Sequence, residues 1–288
     1  MTTIADSLRK AARELKSVAD EPQREAEILL CAVLETDRAH LFTYSDRPLD
    51  EVAQNLLNHY VERRKEGEPV AYILGQREFW TLRLDVNDST LIPRPDTELL
   101  VEVALERCDN DRAFVLDLGT GTGAVALALA KERPLWTVDG VDLSQAAVDL
   151  AKLNAKHSLI YNTYHYQSHW FSAVRANTKA PGARFDVIVS NPPYIASDDP
   201  HLRQGDLRFE PLSALVAENN GLADLFTIAL GAREFLKPNG WLMLEHGWQQ
   251  AQAVRNELAE LGYLQIETLK DYGGNERVTI GRQPEVVR

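Results

Sequence analysis

The most informative segment of the sequence is Asp117-Leu118-Gly119-Thr120-Gly121-Thr122-Gly123. It follows a short apolar run at 113–118 and precedes a helical pattern over Ala124–Glu132. Glycines at alternate positions permit a tight turn and let a ligand approach the backbone closely. The stretch therefore predicts a buried strand, a ligand-binding turn and a helix, in that order.

On both sides of this stretch the chain alternates between strand-like and helical patterns. Apolar runs lie at 113–118, 137–141, 185–190 and 241–245, with helices such as 124–132 and 145–155 between several of them. Such alternation implies parallel strands with right-handed crossovers, hence a doubly wound α/β sheet. The last two runs, 262–269 and 277–280, flank a turn-rich segment, which predicts an antiparallel strand at one edge.

The chain before the sheet divides into two further parts. Residues 1–70 show helical apolar stripes, the clearest at Ile4, Leu8, Ala11 and Leu15, and predict a helical domain. Residues 71–88 change to a period of two and predict a hairpin linker. The α/β domain then occupies 89–288, and its first helix is expected to be capped by Asp96 or Thr97.

The amino-acid composition restricts the classes of partner that this protein is expected to bind. The 288 residues include 31 basic and 43 acidic side chains, a formal net charge of −12, which argues against a broad surface for nucleic-acid phosphates. The two cysteines have no neighbours at metal-ligand spacing, so no metal site is expected. No export or membrane segment is visible, and we expect a cytoplasmic monomer that binds neither nucleic acid nor membrane.

An acid follows the second strand. Asp142 lies nineteen residues after Gly123, where a carboxylate can accept hydrogen bonds from both hydroxyls of a ribose. The G-x-G-x-G spacing differs from the G-x-G-x-x-G of NAD enzymes. An acidic loop beginning at Asp117 suits a cationic ligand, and S-adenosylmethionine carries both a sulfonium and an ammonium group. The alternative is a purely structural turn.

The segment Asn191-Pro192-Pro193-Tyr194 stands directly after the apolar run at 185–190, where open α/β sheets bind ligands. The prolines stiffen the backbone and leave carbonyls that only accept hydrogen bonds. The Asn191 amide oxygen and the Pro192 carbonyl can thus hold both hydrogens of a planar –NH2 group, with the Tyr194 ring against its plane. Those contacts raise electron density on a nitrogen that is otherwise a poor nucleophile. The alternative is a stiffened loop.

At these residues the chain resembles the bacterial peptide-chain-release-factor glutamine methyltransferases. The resemblance covers nearly the whole chain, and the segments that carry it are Asp20-Glu21-Pro22 through Leu30, Ile92 through Glu98, Asp117 through Gly123, Asn191 through Tyr194, and Leu244-Glu245-His246-Gly247. It implies a seven-stranded methyltransferase sheet, and it implies that the helical domain over 1–70 is a substrate-docking domain that helps to dock the release factor. It also implies methyl transfer from S-adenosylmethionine, with S-adenosylhomocysteine as product, to the glutamine of the Gly-Gly-Gln loop in class I release factors.

The resemblance further implies roles for single residues. Gly119, Thr120, Gly121, Thr122 and Gly123 would hold the methionine part of the cofactor, Asp142 the ribose and Trp170 the adenine. Asn191 would touch cofactor and substrate, catalysis would rest on Asn191 and Pro192, and Asn191, Pro192, Pro193 and Tyr194 would bind the glutamine amide. His169 stands where the family commonly has an acid. We expect it to be a surface residue and leave it out of the site.

Other functions remain open from the sequence. A ribosomal-protein glutamine methyltransferase has the same chemical requirements. A DNA or RNA amino-methyltransferase presents the same –NH2 geometry, but residues 195–212 offer only Arg203 and Arg208 as cations against four acids. An NAD-linked oxidoreductase or a non-catalytic cofactor-binding regulator is less consistent with the glycine spacing and with the Asn-Pro-Pro-Tyr segment.

Overall fold

The computed structural model describes residues Thr2–Glu285, which separate into two compact units. The helical unit contains the described residues up to Gln76 together with His201–Phe209. The sheet unit contains Arg77–Pro200 and the described residues from Glu210 onward. The domain proposed for 89–288 is thus interrupted, and its last three residues lie outside the described part of the chain.

The helical unit is built from short amphipathic helices. They are α1 (Ile4–Leu15), α2 (Pro22–Val33), α3 (Arg38–Thr43), α4 (Glu51–Lys65) and α5 (Val70–Leu74). A capping box between Thr3 and Asp6 starts α1, and Pro22 occupies the first turn of α2, where its missing N–H is not needed. Leu15, Leu29 and Leu57 are almost fully buried in the core of this unit.

Arg64 explains why residues 201–209 pack with the helices. Its side chain is 9% exposed, and Nε donates to Glu25 Oε2 at 2.7 Å. Nη1 donates to the Gly67 carbonyl at 3.2 Å and lies 3.4 Å from Asp206 Oδ1. A cation removed from water needs several partners, and Asp206 is one of them. The prediction of an uninterrupted domain over 89–288 is corrected at this segment.

The hairpin is shorter than predicted. Its strands are β1 (Gln76–Phe79) and β2 (Leu82–Asp85), while 71–74 is helical because it belongs to α5. Gly75, at φ +70°, ends that helix in the left-handed conformation that glycine adopts without steric cost. Trp80 lies in the turn of the hairpin rather than in a strand, and its Nε1 donates to Glu132.

A seven-stranded sheet forms the centre of the sheet unit. Its strands are β3 (Phe114–Leu118), β4 (Thr137–Asp142), β5 (Thr163–Gln167), β6 (Phe185–Ser190), β7 (Leu236–Glu245), β8 (Leu264–Lys270) and β9 (Glu276–Arg282). The spatial order is β5-β4-β3-β6-β7-β9-β8, parallel from β5 to β7. The antiparallel strand β9 lies between β7 and β8, so the prediction that an edge strand is the antiparallel one is wrong. The β8–β9 hairpin folds back so that its second strand pairs with β7.

Helices cover both faces of the sheet. They are α6 (Glu98–Arg107), α7 (Ala124–Glu132), α8 (Gln145–His157), α9 (Val174–Asn177), α10 (Glu218–Gly221), α11 (Ala223–Ala232) and α12 (Ala251–Glu260). Alternate residues of β3 point to opposite faces, so Val115 and Leu116 lie in separate apolar cores. The predicted doubly wound α/β fold is confirmed. Across Thr2–Glu285, no helix is long and apolar enough to cross a bilayer.

The strand order places the functional segments together. After β3 the chain moves to β4 and β5 on one side, and later to β6 and β7 on the other. The sheet reverses its winding direction between β3 and β6, and open α/β sheets bind ligands at such a point beyond the carboxyl ends of the strands. The glycine loop leaves β3 there, and Asn191 leaves β6.

Candidate functional site

The glycine loop takes a backbone path that favours glycine. Gly119, Gly121 and Gly123 have φ values of +73°, +53° and +83°. Side-chain-bearing residues pay roughly 1–2 kcal/mol in this left-handed region. The amides of Gly119 and Thr120 both donate to the Val141 carbonyl, at 2.9 and 2.8 Å, which anchors the loop to β4.

The three glycines serve two purposes. A Cβ added at Gly119 would lie 3.7 Å from Trp170 Cζ3 and 3.9 Å from the Asn191 carbonyl oxygen, in the space between those two residues. A Cβ added at Gly123 would press against Ala151 and Leu127 at 3.2 Å. Gly119 therefore keeps room for a ligand, whereas Gly123 keeps room for helix packing.

A cavity of about 260 Å³ opens at this edge of the sheet. The predicted site residues that line it are Gly119, Thr120, Gly121, Thr122, Asp142, Trp170, Asn191 and Pro193. The predicted residues Gly123, Pro192 and Tyr194 are not among its lining residues. Gly123 faces α7 and α8 instead, Pro192 is buried, and the hydroxyl of Tyr194 is directed at Glu245.

Asp142 ends β4 and clamps the loop. Its Oδ2 accepts the Gly121 amide at 2.9 Å and its Oδ1 accepts the Ser144 amide at 2.9 Å. Burial raises the pKa of this carboxyl, and the two backbone amides oppose the shift. Because an ionised carboxylate offers about four acceptor positions, room remains for two hydroxyl groups of a ligand. These acceptor positions fit the hydroxyl groups of a ribose.

Asp117 lies at the bottom of the cavity and is almost fully buried. Its Oδ2 accepts the Thr120 hydroxyl at 2.7 Å. Burial raises the pKa of Asp117 to about 7, although the Thr120 hydroxyl lowers it. A carboxyl with this pKa is ionised readily when a cation binds beside it. The site therefore suits a ligand with a positive charge.

Trp170, which follows the end of β5, and a third acid, Asp224, also line the cavity. Trp170 lines the cavity, and the Ser168 hydroxyl donates to its carbonyl at 2.6 Å. Asp224, in the first turn of α11, lines the same cavity and accepts a hydrogen bond from Trp170 that lowers its pKa, while burial raises it. His169 is exposed, as predicted, yet it also lines the cavity.

Polar groups hold the Asn-Pro-Pro-Tyr segment from behind. The Asn191 Nδ2 donates to Thr97 Oγ1 at 3.1 Å, and the Tyr194 hydroxyl donates to Glu245 Oε1 at 3.4 Å. Gln250 Nε2 donates to the Tyr194 carbonyl at 3.0 Å. Burial, followed by the charge of Glu245, raises the pKa of Tyr194, so this tyrosine is neutral. The segment is fixed at both ends.

The segment before α6 differs from its predicted role. Pro95–Thr97 forms a 3₁₀ turn, and the Thr97 side chain makes no cap hydrogen bond because it faces Asn191. Arg94 lines the cavity, and its Nη2 contacts both carboxylate oxygens of the fully buried Glu210 at 2.8 Å. Thr97 thus occupies the N-cap position of α6, as predicted, but its side chain does not cap the helix.

His246 is a buried core residue. Its Nε2 lies 2.7 Å from Thr279 Oγ1 and its Nδ1 lies 2.9 Å from the Gly247 carbonyl, so both ring nitrogens have partners. Burial lowers the pKa of His246, which disfavours its charged form. Among the described residues, no cluster of three or more His, Cys, Asp or Glu side chains can hold a metal ion.

The cavity contains residues that sequence patterns did not single out. Thr90, Ser144, Ser168 and Asp224 all line it. Polar residues at strand and helix ends are common, and nothing in the local sequence distinguishes these from solvated caps. Asp224 had one faint signal, because it is an acid in the first turn of an otherwise apolar helix.

Comparison with known proteins finds two matching sequence families. The family described as PrmC N-terminal domain matches residues 6–75, and the family described as methyltransferase small domain matches residues 95–205. Together they cover parts of both compact units.

Close relatives match over almost the full length. Release factor glutamine methyltransferase of Salmonella typhimurium is 54% identical over 96% of this chain and 97% of its own length. The Escherichia coli K12 protein of that name is 50% identical over the same shares, and the Pseudomonas aeruginosa one is 49% identical over 98% and 99%.

Solved structures share the fold at low identity. A methyltransferase from Pyrococcus furiosus has a TM-score of 0.54 at 16% identity, covering 79% of this chain and 99% of that one. A 16S rRNA N2 G1207 methyltransferase of T. thermophilus, in complex with AdoMet and guanosine, has a TM-score of 0.51 at 21% identity, covering 72% and 49%.

Proposed function

The chain belongs to the release factor glutamine methyltransferase family, and we propose that it methylates the glutamine of the Gly-Gly-Gln motif in class I peptide chain release factors. The methyl donor is S-adenosylmethionine and the acceptor is the side-chain amide nitrogen. Because release factors act in the cytoplasm, we propose that the enzyme works there as well.

One observation supports this function above the others. The Asn191 carbonyl oxygen lies 3.9 Å from the Cβ position above Gly119, so the Asn-Pro-Pro-Tyr segment and the glycine loop border the same space. An amide held at Asn191 is therefore close to a ligand that lies over the glycines. Proximity and orientation of this kind supply up to about 7–11 kcal/mol of barrier reduction.

The cavity offers a group for each part of the cofactor. Asp142 would hold the ribose hydroxyls and Trp170 would lie against the adenine. Gly119, Thr120, Gly121 and Thr122 would border the methionine part, with Asp117 as the nearby negative charge. Gly123 contributes to the loop through helix packing rather than direct contact.

When bound, S-adenosylmethionine would supply the methyl group, and the electron pair of its carbon–sulfur bond would stay on the sulfur of the product S-adenosylhomocysteine. The glutamine nitrogen forms the new carbon–nitrogen bond and gives up one proton to water. Asn191 Oδ1 and the Pro192 carbonyl accept the two amide hydrogens, which draws nitrogen away from planarity and toward the donor. Pro193 and the ring of Tyr194 make the remaining contacts with the glutamine amide.

No strong base is needed in this scheme. The amide nitrogen becomes acidic only as its bond to carbon forms, so the proton leaves late. His246 lies within the segment Leu244–Gly247, and both of its ring nitrogens are engaged, by Thr279 and by Gly247. Positioning and hydrogen-bond acceptance by Asn191 and Pro192 therefore provide the acceleration.

The test is transfer of a radiolabelled methyl group from S-adenosylmethionine to a purified class I release factor. We expect label on the wild-type factor and none on a factor whose Gly-Gly-Gln glutamine is replaced by alanine. A purified ribosomal protein and bare DNA, assayed side by side, should stay unlabelled. Label that persists on the substituted factor, or that appears on DNA instead, overturns the assignment.

A further inference from the structure

Two buried side chains behind the Asn-Pro-Pro-Tyr segment are outside the proposed substrate contacts. Glu245, the last residue of β7, is 1% exposed, and Thr97 is 4% exposed. The Oε2 atom of Glu245 has no hydrogen-bond partner within the described residues. A buried polar oxygen without a partner is costly, and such groups are commonly kept for a functional reason.

The Thr97 hydroxyl connects Glu245 to Asn191. Its oxygen accepts the Asn191 Nδ2 donor at 3.1 Å. Thr97 is also close enough to Glu245 for its hydroxyl to lower the pKa of that carboxyl, although Oε2 lacks a well-formed hydrogen bond. A hydroxyl has a single hydrogen to donate, and an ionised carboxylate only accepts. The oxygen of Thr97 therefore accepts from Asn191, and its single hydrogen is left available for donation to Glu245.

This order of donors fixes the asparagine amide. A side-chain amide turned by 180° exchanges its oxygen and its nitrogen, and the two orientations differ only in their hydrogen bonds. With Thr97 acting as acceptor, Nδ2 must point back and Oδ1 must point forward. Only this orientation offers an acceptor to an amide substrate. The opposite orientation would offer two donors to a group that itself presents hydrogens.

Glu245 also acts on the other end of the segment, because the Tyr194 hydroxyl donates to its Oε1 at 3.4 Å. We propose that Glu245 is a positioning residue of the methyl-transfer reaction, which orients Asn191 through Thr97 and the Tyr194 ring directly. The inference rests on the proposed function, because it assigns the direction in which Asn191 meets the substrate.

The charge state of Glu245 should affect the rate of methyl transfer. Burial raises its pKa to about 7, and the groups facing it are Thr97, Arg277 and Tyr194, which lower the pKa, and Asp96, which raises it. Arg277 is itself held by Asp271 at 3.1 Å. The protonated carboxyl would compete as a donor toward Thr97, so turnover should fall as pH drops through this pKa.

The experiment compares Glu245→Gln, Thr97→Val and Thr97→Ser with the wild type. It measures kcat and KM for a class I release factor at saturating S-adenosylmethionine from about pH 6 to about pH 8.5. A second readout is the Kd for S-adenosylhomocysteine by calorimetry. Asp139→Asn is the matched control, since Asp139 is equally buried and accepts the Tyr166 hydroxyl at 3.0 Å.

We expect kcat to fall about tenfold to a hundredfold in Glu245→Gln and Thr97→Val, with the Kd of the product within about twofold of the wild type. Thr97→Ser keeps the hydroxyl and should retain most of the wild-type kcat. The acidic limb of the pH profile should vanish in Glu245→Gln and persist in Asp139→Asn.

Two results overturn the inference. One is an unchanged acidic limb and kcat in Glu245→Gln, and the other is an equal loss in Thr97→Ser and Thr97→Val. If Glu245→Gln fails to fold, the two Thr97 variants decide alone. A wild-type enzyme that leaves the factor unlabelled defeats the proposed function instead, so the two failures are distinguishable.

Discussion

The Ser190 hydroxyl donates to the Leu118 carbonyl at 2.7 Å, and both residues are fully buried. Ser190 is the last residue of β6 and Leu118 the last of β3. The bond therefore ties together the two strand ends from which the Asn-Pro-Pro-Tyr segment and the glycine loop emerge. Groups that must meet in one reaction are thus held on rigid neighbouring strands rather than on independent loops.

Replacing Asn191 by alanine should separate binding from turnover. Asn191→Ala removes the amide acceptor but leaves Asp142 and the glycine loop intact. We expect most of the affinity for S-adenosylmethionine to remain while kcat falls by a factor of about 10² or more, equivalent to about 2.7 kcal/mol. Calorimetry and the radiolabel assay measure the two quantities. Asn256→Ala, at an exposed position of α12, is the control, and near-normal turnover in Asn191→Ala would refute the role of Asn191.

Adding one carbon to the glycine loop should block the cavity. Gly119→Ala places a Cβ between Trp170 and Asn191, so the affinity for S-adenosylmethionine should fall about tenfold or more. Because Gly119 has a positive φ, an alanine at this position should also lower the free energy of unfolding by roughly 1–2 kcal/mol.

Gly274→Ala separates these two effects. Gly274 has φ +85° and no atom within 4 Å of an added Cβ, so it carries the backbone strain without filling a cavity. We expect similar losses of unfolding free energy in both variants and normal cofactor affinity in Gly274→Ala. Equal affinities in the two variants would contradict the assignment of the cavity above Gly119.

Cofactor affinity should depend on pH through Asp117. Burial raises the pKa of Asp117 to about 7, so the carboxyl is mostly protonated at pH 6 and mostly ionised at pH 8. A cation prefers the ionised form, so affinity for S-adenosylmethionine should rise with pH over this range, by up to about tenfold. Asp117→Asn should bind more weakly and without this slope. Calorimetry at several pH values tests it, and an unchanged slope in the variant would exclude Asp117 as the source.

Asp142→Asn should weaken cofactor binding. Each carboxylate oxygen accepts one backbone amide, from Gly121 and from Ser144, so an asparagine NH2 would oppose one of these donors. We expect the Kd for S-adenosylmethionine to rise about tenfold or more, with a smaller change in kcat at saturating cofactor. Asp149→Asn, an exposed acid on α8, should behave as wild type. Equal affinity in both variants would show that Asp142 holds no part of the ligand.

Local sequence patterns predicted the centre of the sheet well. The runs at 113–118 and 185–190 are apolar because β3 and β6 are buried on both faces, and burial of that kind leaves a continuous signal. The glycine loop and Asn191 follow those runs directly, so their positions were fixed once the strands were recognised.

Other features depend on partners distant in the chain. β5 reads Thr-Tyr-His-Tyr-Gln and lies at an edge with mixed exposure, so its sequence lacks the apolar run of a central strand. Thr97 matched a helix cap, and only the approach of Asn191, 94 residues away, gives it another role. In the sequence, Gly123 could not be distinguished from Gly119 and Gly121, but in the structure α8 packs against it.

The segment His201–Phe209 has a consequence for anyone who wishes to divide this enzyme. The chain leaves the sheet unit a few residues after Tyr194, joins the helices through Asp206 and Arg64, and returns at Glu210. Neither unit is one uninterrupted length of polypeptide. A fragment that begins after residue 76 would keep His201–Phe209 but lose the helices with which this segment packs. A fragment that ends at residue 76 would keep those helices but lose His201–Phe209. The two units should therefore be expressed together, as one chain.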